Sequence, residues 1–102
     1  MNEFKYDRTR LLVWPEWGSS GIWHPSAVEG KSHVQMVDHD TLALSPYLTK
    51  RFERWIAWYD DYLPEYPDKF PWDAFGNEGA ELARLLAEFV GDSYHVECFK
   101  ND

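Results

Sequence analysis

Along residues 9 to 14 the chain reads TRLLVW, a β-branched and aromatic run that stops where Pro15 removes a ladder donor, and it predicts a first strand. Gly18-Ser19-Ser20-Gly21 is a turn cluster, after which Ile22-Trp23-His24 can pair back as a short second strand before Pro25. SAVEGKS at 26 to 32 is a second turn region, and HVQMVDH then alternates apolar and polar positions, predicting a third strand.

The pattern changes period at Ser45. Ser45 can cap, Pro46 suits a first helical position, and Leu48, Phe52, Trp55, Ile56, Tyr59 and Leu63 fall on one helical stripe about 120° wide or less. Lys50, Glu53, Arg54, Asp60 and Asp61 lie opposite, Trp58 sits at the stripe's edge, and Pro64 ends the helix. A second helix is expected from a cap at Asp73 to a C-terminal glycine at Gly91, burying Phe75, Gly79, Leu82, Leu85, Leu86 and Phe89. Gly79 costs about 1 kcal/mol of helix propensity against alanine, so its place on the stripe implies a close packing contact. Tyr94 to Phe99 alternates like a closing strand.

One stripe per helix and one apolar face per strand predict an α+β fold. Two helices pack on one face of a small antiparallel or mixed sheet of three to four strands, in the order β-β-(β)-α-α-β. At 102 residues the chain is expected to be one domain, 1 to 102, burying roughly two thirds of its extended surface. An apolar content of 44% and an aromatic content of 18% exclude a disordered chain. Cys98 is the sole cysteine, so neither an intrachain disulfide nor a multi-cysteine zinc site can form. MNEFKYDRTR is charged where a signal peptide needs an apolar stretch, so a soluble cytoplasmic protein is expected.

The net charge of −8 is uneven. Residues 1 to 59 balance seven acids against seven bases, whereas residues 60 to 102 hold eleven acids against Lys69, Arg84 and Lys100. Nucleic acid and anionic lipid both require a basic footprint, and the chain has none, so a basic protein is the electrostatic complement.

Candidate chemistry is sparse. Asp38-His39-Asp40, with His24, His33 and His95 elsewhere, lacks a spacing that would set two metal ligands on one helical face, and in a strand 38 and 39 point to opposite sides. Three residues separate His95 from Cys98, placing them on opposite strand faces, which reads as an inert thiol and not a nucleophile pair. Asp60-Asp61 and Glu78-Glu81 are acids on solvated helix faces, without the apolar pocket that acid/base work requires. The Gly18 to Gly21 turn lacks the lysine and helix of a phosphate loop. No cofactor or metal is expected, and an enzyme using Asp38, His39 or His95 is the weakest reading.

Six tryptophans exceed what one small core needs, and Trp14, Trp17, Trp23, Trp58 and Trp72 cannot all lie inside. Exposed aromatics rimmed by charge describe a protein-binding surface. The alternative is that several tryptophans cap the open face of the sheet. The stretch DDYLPEYPDKFPWD, the end of helix one followed by a proline-rich bridge from Pro64 to Asp73, opens the acidic half, making Asp60, Asp61, Glu65, Tyr66, Asp68 and Trp72 the candidate contact residues, while Phe70 or Trp72 could instead plug the gap between the helices.

The chain resembles a family of small, acidic, largely uncharacterised bacterial proteins that includes immunity proteins of contact-dependent inhibition and polymorphic toxin systems. The matching residues are Leu11-Leu12-Val13-Trp14, Ile22-Trp23, Asp40 to Ser45, Trp55 to Asp60, Phe75 to Ala83 and Tyr94-His95-Val96, with the helix-one tryptophans and Glu78-Gly79-Ala80-Glu81-Leu82-Ala83 the most specific. The chain departs in its longer acidic interhelical loop and around Glu29-Gly30-Lys31. The resemblance implies a non-enzymatic protein that binds and blocks a cognate toxin domain, in many systems a nuclease with a basic cleft. An acidic interaction module or nucleic-acid mimic with another basic partner is the alternative.

Overall fold

A computed structural model describes residues 5–31, 33–62 and 70–98, with Tyr62 described by its backbone. Four strands and two helices follow one another as β1 (Arg10–Val13), β2 (Ile22–Pro25), β3 (Val34–Met36), α1 (Pro46–Tyr62), α2 (Trp72–Val90) and β4 (His95–Cys98). The sheet runs β3-β2-β1-β4. β1 pairs antiparallel with β2 and β2 with β3, whereas β4 lies parallel to β1, because the chain crosses the helical layer before returning to the sheet. The expected α+β architecture is therefore the observed one, with a mixed sheet.

Strand parity sets the two sides of the sheet. Leu11, Val13 and Ile22 face the helices and are fully buried, with Val96 and Cys98 partly buried in register beside Leu11 and Val13. α1 adds Leu48, Phe52, Trp55 and Ile56, and α2 adds Phe75, Leu82, Ala83 and Leu86. Burying each large side chain contributes about 1.5–3 kcal/mol, so the core is built mainly at the meeting of the helices and the central strands. Trp55 is anchored there by donating its Nε1–H to the Phe75 carbonyl at 3.0 Å. An Arg51–Glu78 pair, at 2.6 and 3.0 Å, clasps α1 to α2 at the edge of that core.

Gly21 shows why the turn cluster is glycine-rich at its end. Its φ is +81°, and a Cβ there would lie 3.2 Å from Phe52 and 3.4 Å from Ile56, so glycine admits both the left-handed turn and the approach of α1.

Ser45 caps α1 as expected, its Oγ accepting the Leu48 amide at 3.2 Å. Gly91 closes α2 with a φ of +63°. Other expectations need correction. The third strand ends at Met36, and Asp38 immediately precedes a 3-10 turn at His39–Leu42, so strand parity does not apply to Asp38 and His39. α2 starts two residues before a cap at Asp73 would place it, after Pro71 and without a side-chain cap, leaving Asp73 inside the first turn. Its buried face is rotated towards Ala83 and Val90, and Phe89 is 43% exposed. A small side chain carries little weight in an apolar pattern, yet it lets neighbouring elements approach, and packing decides which side that is. Leu63, Pro64 and Phe99 lie outside the described residues.

Candidate partner-binding surface

The β1–β2 loop meets the last turns of α1. Gly18 turns the loop at a φ of +62°, and its amide donates to Asp60 at 3.0 and 3.2 Å, so Asp60 is a tether as well as a surface acid. Within the loop the Glu16 backbone carbonyl accepts from the Ser19 amide and hydroxyl. This arrangement sets the Trp17 ring against Tyr59, with centroids 4.8 Å apart.

From Tyr59 the aromatic contacts continue to Phe70 at 6.4 Å and from Phe70 to Trp72 at 4.7 Å. Phe70 is buried, in tilted and edge-on contact with Trp58, Tyr59 and Phe75, and so plugs the space between the helices. The two ends of the chain of rings remain open to solvent: Trp17 is 52% and Trp72 37% exposed. Burial, followed by the charges of Glu16 and Asp60, raises the Tyr59 phenol above its ordinary value, so the ring stays neutral. Asp61, one residue beyond the tether, is exposed.

Of the residues singled out in the sequence, Asp60 and Trp72 thus belong to one continuous aromatic ridge, and Asp61 stands on the same final turn of α1 as Asp60. Glu65, Tyr66 and Asp68 lie outside the described residues. Glu16, Trp17 and Tyr59 are not among the candidate contact residues, although Trp17 counts among the surplus tryptophans and Tyr59 falls on the stripe of α1, because they join the ridge only when the loop folds onto α1. The signal available was Glu16-Trp17-Gly18, an acid and a large ring beside a turn glycine.

Among the described residues no helix covers the sheet's other side. Register pairs share a face, so Leu12, Trp23 with Met36, and Pro25 with Val34 all point away from the helical layer. Trp14, Val34 and Met36 are 46%, 42% and 45% exposed there. Arg10 and Glu97, paired at 2.5 and 2.9 Å, border this face on the β4 side. Trp14 and Trp23 therefore do lie on the open sheet, while Trp17 and Trp72 belong to the ridge.

Several of the groups considered for chemistry are held in structural contacts. His24 is buried, its Nδ1–H donating to the Arg10 carbonyl at 2.8 Å, and the His39 Nε2–H donates to the Ser20 carbonyl at 2.9 Å. Cys98 turns towards the core, where burial pushes its thiol up, while His95 points to the opposite side near Glu97. Among the described residues no three His, Cys, Asp or Glu side chains converge on a possible metal position.

The model of the Serratia CdiI immunity protein-like family matches residues 9–101. The chain belongs to this family. Comparison with curated proteins finds no match. The CdiI-like match spans β1 through β4, both helices and the ridge, so the family pattern covers the whole described fold from Thr9 onward. Membership in an immunity family accords with an inhibitor that acts by binding, and it implies a cognate toxin as partner. Among the described residues no helix is long and apolar enough to cross a membrane.

Proposed function

We propose that this chain is a single-domain cytoplasmic immunity protein that binds a basic toxin domain, a nuclease in the reading favoured here, and blocks its active site or its access to substrate. The observation that carries the reading is the family match across residues 9–101. The contact surface is the ridge from Glu16 and Trp17 through Tyr59 to Trp72, with Asp60, Asp61 and the acidic segment that includes Glu65, Tyr66 and Asp68. Its support is physical: solvent-facing aromatic rings supply anchors of the kind that dominate binding energy, and surrounding carboxylates accelerate encounter with a basic cleft.

The test is co-expression with a candidate cognate toxin domain. A stable complex that abolishes toxin activity is expected, with Trp17→Ala and Trp72→Ala raising the dissociation rate. Full toxicity in the presence of folded protein would overturn the reading.

A further inference from the structure

A groove of about 340 Å³ crosses the uncovered side of the sheet, lined by Leu12, Trp14, Glu16, Trp23, Pro25 and Val34, with His33 beside them. That volume is at the small end of ligand sites, which span roughly 300–1,000 Å³, and suits one or two side chains. Hydrogen bonds hold the Trp23 ring and the Trp14 backbone in place. The Trp23 Nε1–H donates to the Trp14 carbonyl at 3.0 Å, and the Trp14 amide donates to the Gly21 carbonyl at 3.0 Å.

Among the described residues that line the groove, Glu16 carries the only carboxylate; beside it stands the imidazole of His33, and the other lining side chains are apolar. An apolar occupant would strip water from that carboxylate without replacing its hydrogen bonds, and an acidic one would be repelled. A lysine or arginine side chain satisfies both parts, because its methylene stem covers Leu12, Pro25 and Val34 while its cationic head reaches the indole faces and Glu16. We propose that this groove is a socket for a lysine or arginine side chain of the toxin that the chain neutralises. The socket rests on the immunity reading for the source of that side chain. It is continuous with the ridge through Glu16, which lines the groove and whose charge also acts on Tyr59.

The chemistry is tested without any toxin. Indole N–H signals of Trp14 and Trp23 are followed by NMR during titration with N-acetyl-arginine methylamide, N-acetyl-lysine methylamide and, as the neutral control, N-acetyl-norleucine methylamide. Saturable shifts are expected for the cations, with roughly two- to fivefold tighter binding than norleucine, and Glu16→Gln should erase that preference while leaving the rest of the spectrum intact. Equal binding of norleucine, absence of saturation, or an unaltered preference in Glu16→Gln would overturn the socket. So would concentration-dependent shifts at Trp14 and Trp23 in the free protein, which would make a second copy the occupant.

A second arm uses the toxin domain. Weaker toxin binding by Trp14→Ala, whose side chain lies outside the ridge, supports the assignment, and unchanged binding by that variant overturns it. A wild-type chain that binds the cationic probes but no toxin would overturn the immunity reading, and with it the toxin as the source, while leaving the groove's preference for cations standing.

Discussion

The carboxylate of Asp60 accepts the Gly18 amide with both oxygens, at 3.0 and 3.2 Å, and so ties the β1–β2 loop to the end of α1. The neighbouring Asp61 is exposed. Two adjacent acids of identical chemistry therefore have separable effects. Asp60→Ala should destabilise the fold by about 1 kcal/mol and speed hydrogen exchange at the Gly18 amide. Asp61→Ala should stay within about 0.5 kcal/mol of wild type. Asp61→Lys should slow association with a basic toxin at low salt more than it changes dissociation, read by stopped-flow mixing. An on-rate equal to wild type at low salt would remove Asp61 from the binding surface.

Trp55 combines a stacked ring, 4.8 Å from Phe75 at an interplanar angle of 17°, with its hydrogen bond to the Phe75 carbonyl. Trp55→Phe keeps an aromatic ring but loses the donor and leaves unfilled volume in a site that is 1% exposed. The expected loss is about 2–4 kcal/mol, measured as a lower urea midpoint at unchanged denaturant slope. Trp72→Phe, at the exposed end of the ridge, should cost far less.

Backbone conformation predicts opposite signs at two small residues. Gly21→Ala places a methyl group 3.2 Å from Phe52 in a left-handed turn and should destabilise by about 1–3 kcal/mol. Ala43 already holds a left-handed φ of 51° at the end of the 3-10 turn. Ala43→Gly should therefore be neutral or stabilising by up to about 1 kcal/mol, since relief of strain offsets the added freedom of the unfolded chain. Thermal melts of the two variants should move in different directions or differ clearly in size.

Alkaline stability follows from two groups whose proton is held more tightly in the folded state. Burial raises the Cys98 thiol above its ordinary value of 9.0, and burial with Glu16 and Asp60 raises the Tyr59 phenol above 10.0. The unfolded chain releases these protons first, so stability is complete below about pH 9 and falls as pH climbs through the folded-state values. Cys98→Ala should flatten the decline that begins near pH 9, and Tyr59→Phe the part that begins near pH 10, in urea titrations across that range. The folded thiol should also react with iodoacetamide at pH 8 more slowly than an unfolded control.

Local chemistry determined much of this protein from its sequence. The Ser45 cap, Pro46 at the first helical position, the stripe of Leu48, Phe52, Trp55 and Ile56, and the glycine ending α2 depend on neighbours within a turn or two of chain, and each stands where the pattern placed it. The CdiI-like family was legible for the same reason, since its matching segments are contiguous. Tertiary structure alone decided what depends on distant segments meeting. α2 buries Ala83 and exposes Phe89, because the sheet selects the side on which the helix can approach. Glu16, Trp17, Tyr59 and Trp72 form one surface only after the β1–β2 loop is tethered by Asp60. Trp14 and Trp23 flank a groove only because antiparallel register sets both on the uncovered side of the sheet. Sequence counts aromatic rings and charges, but which of them share a surface is set by pairing register and helix rotation, which arise from packing across the whole chain.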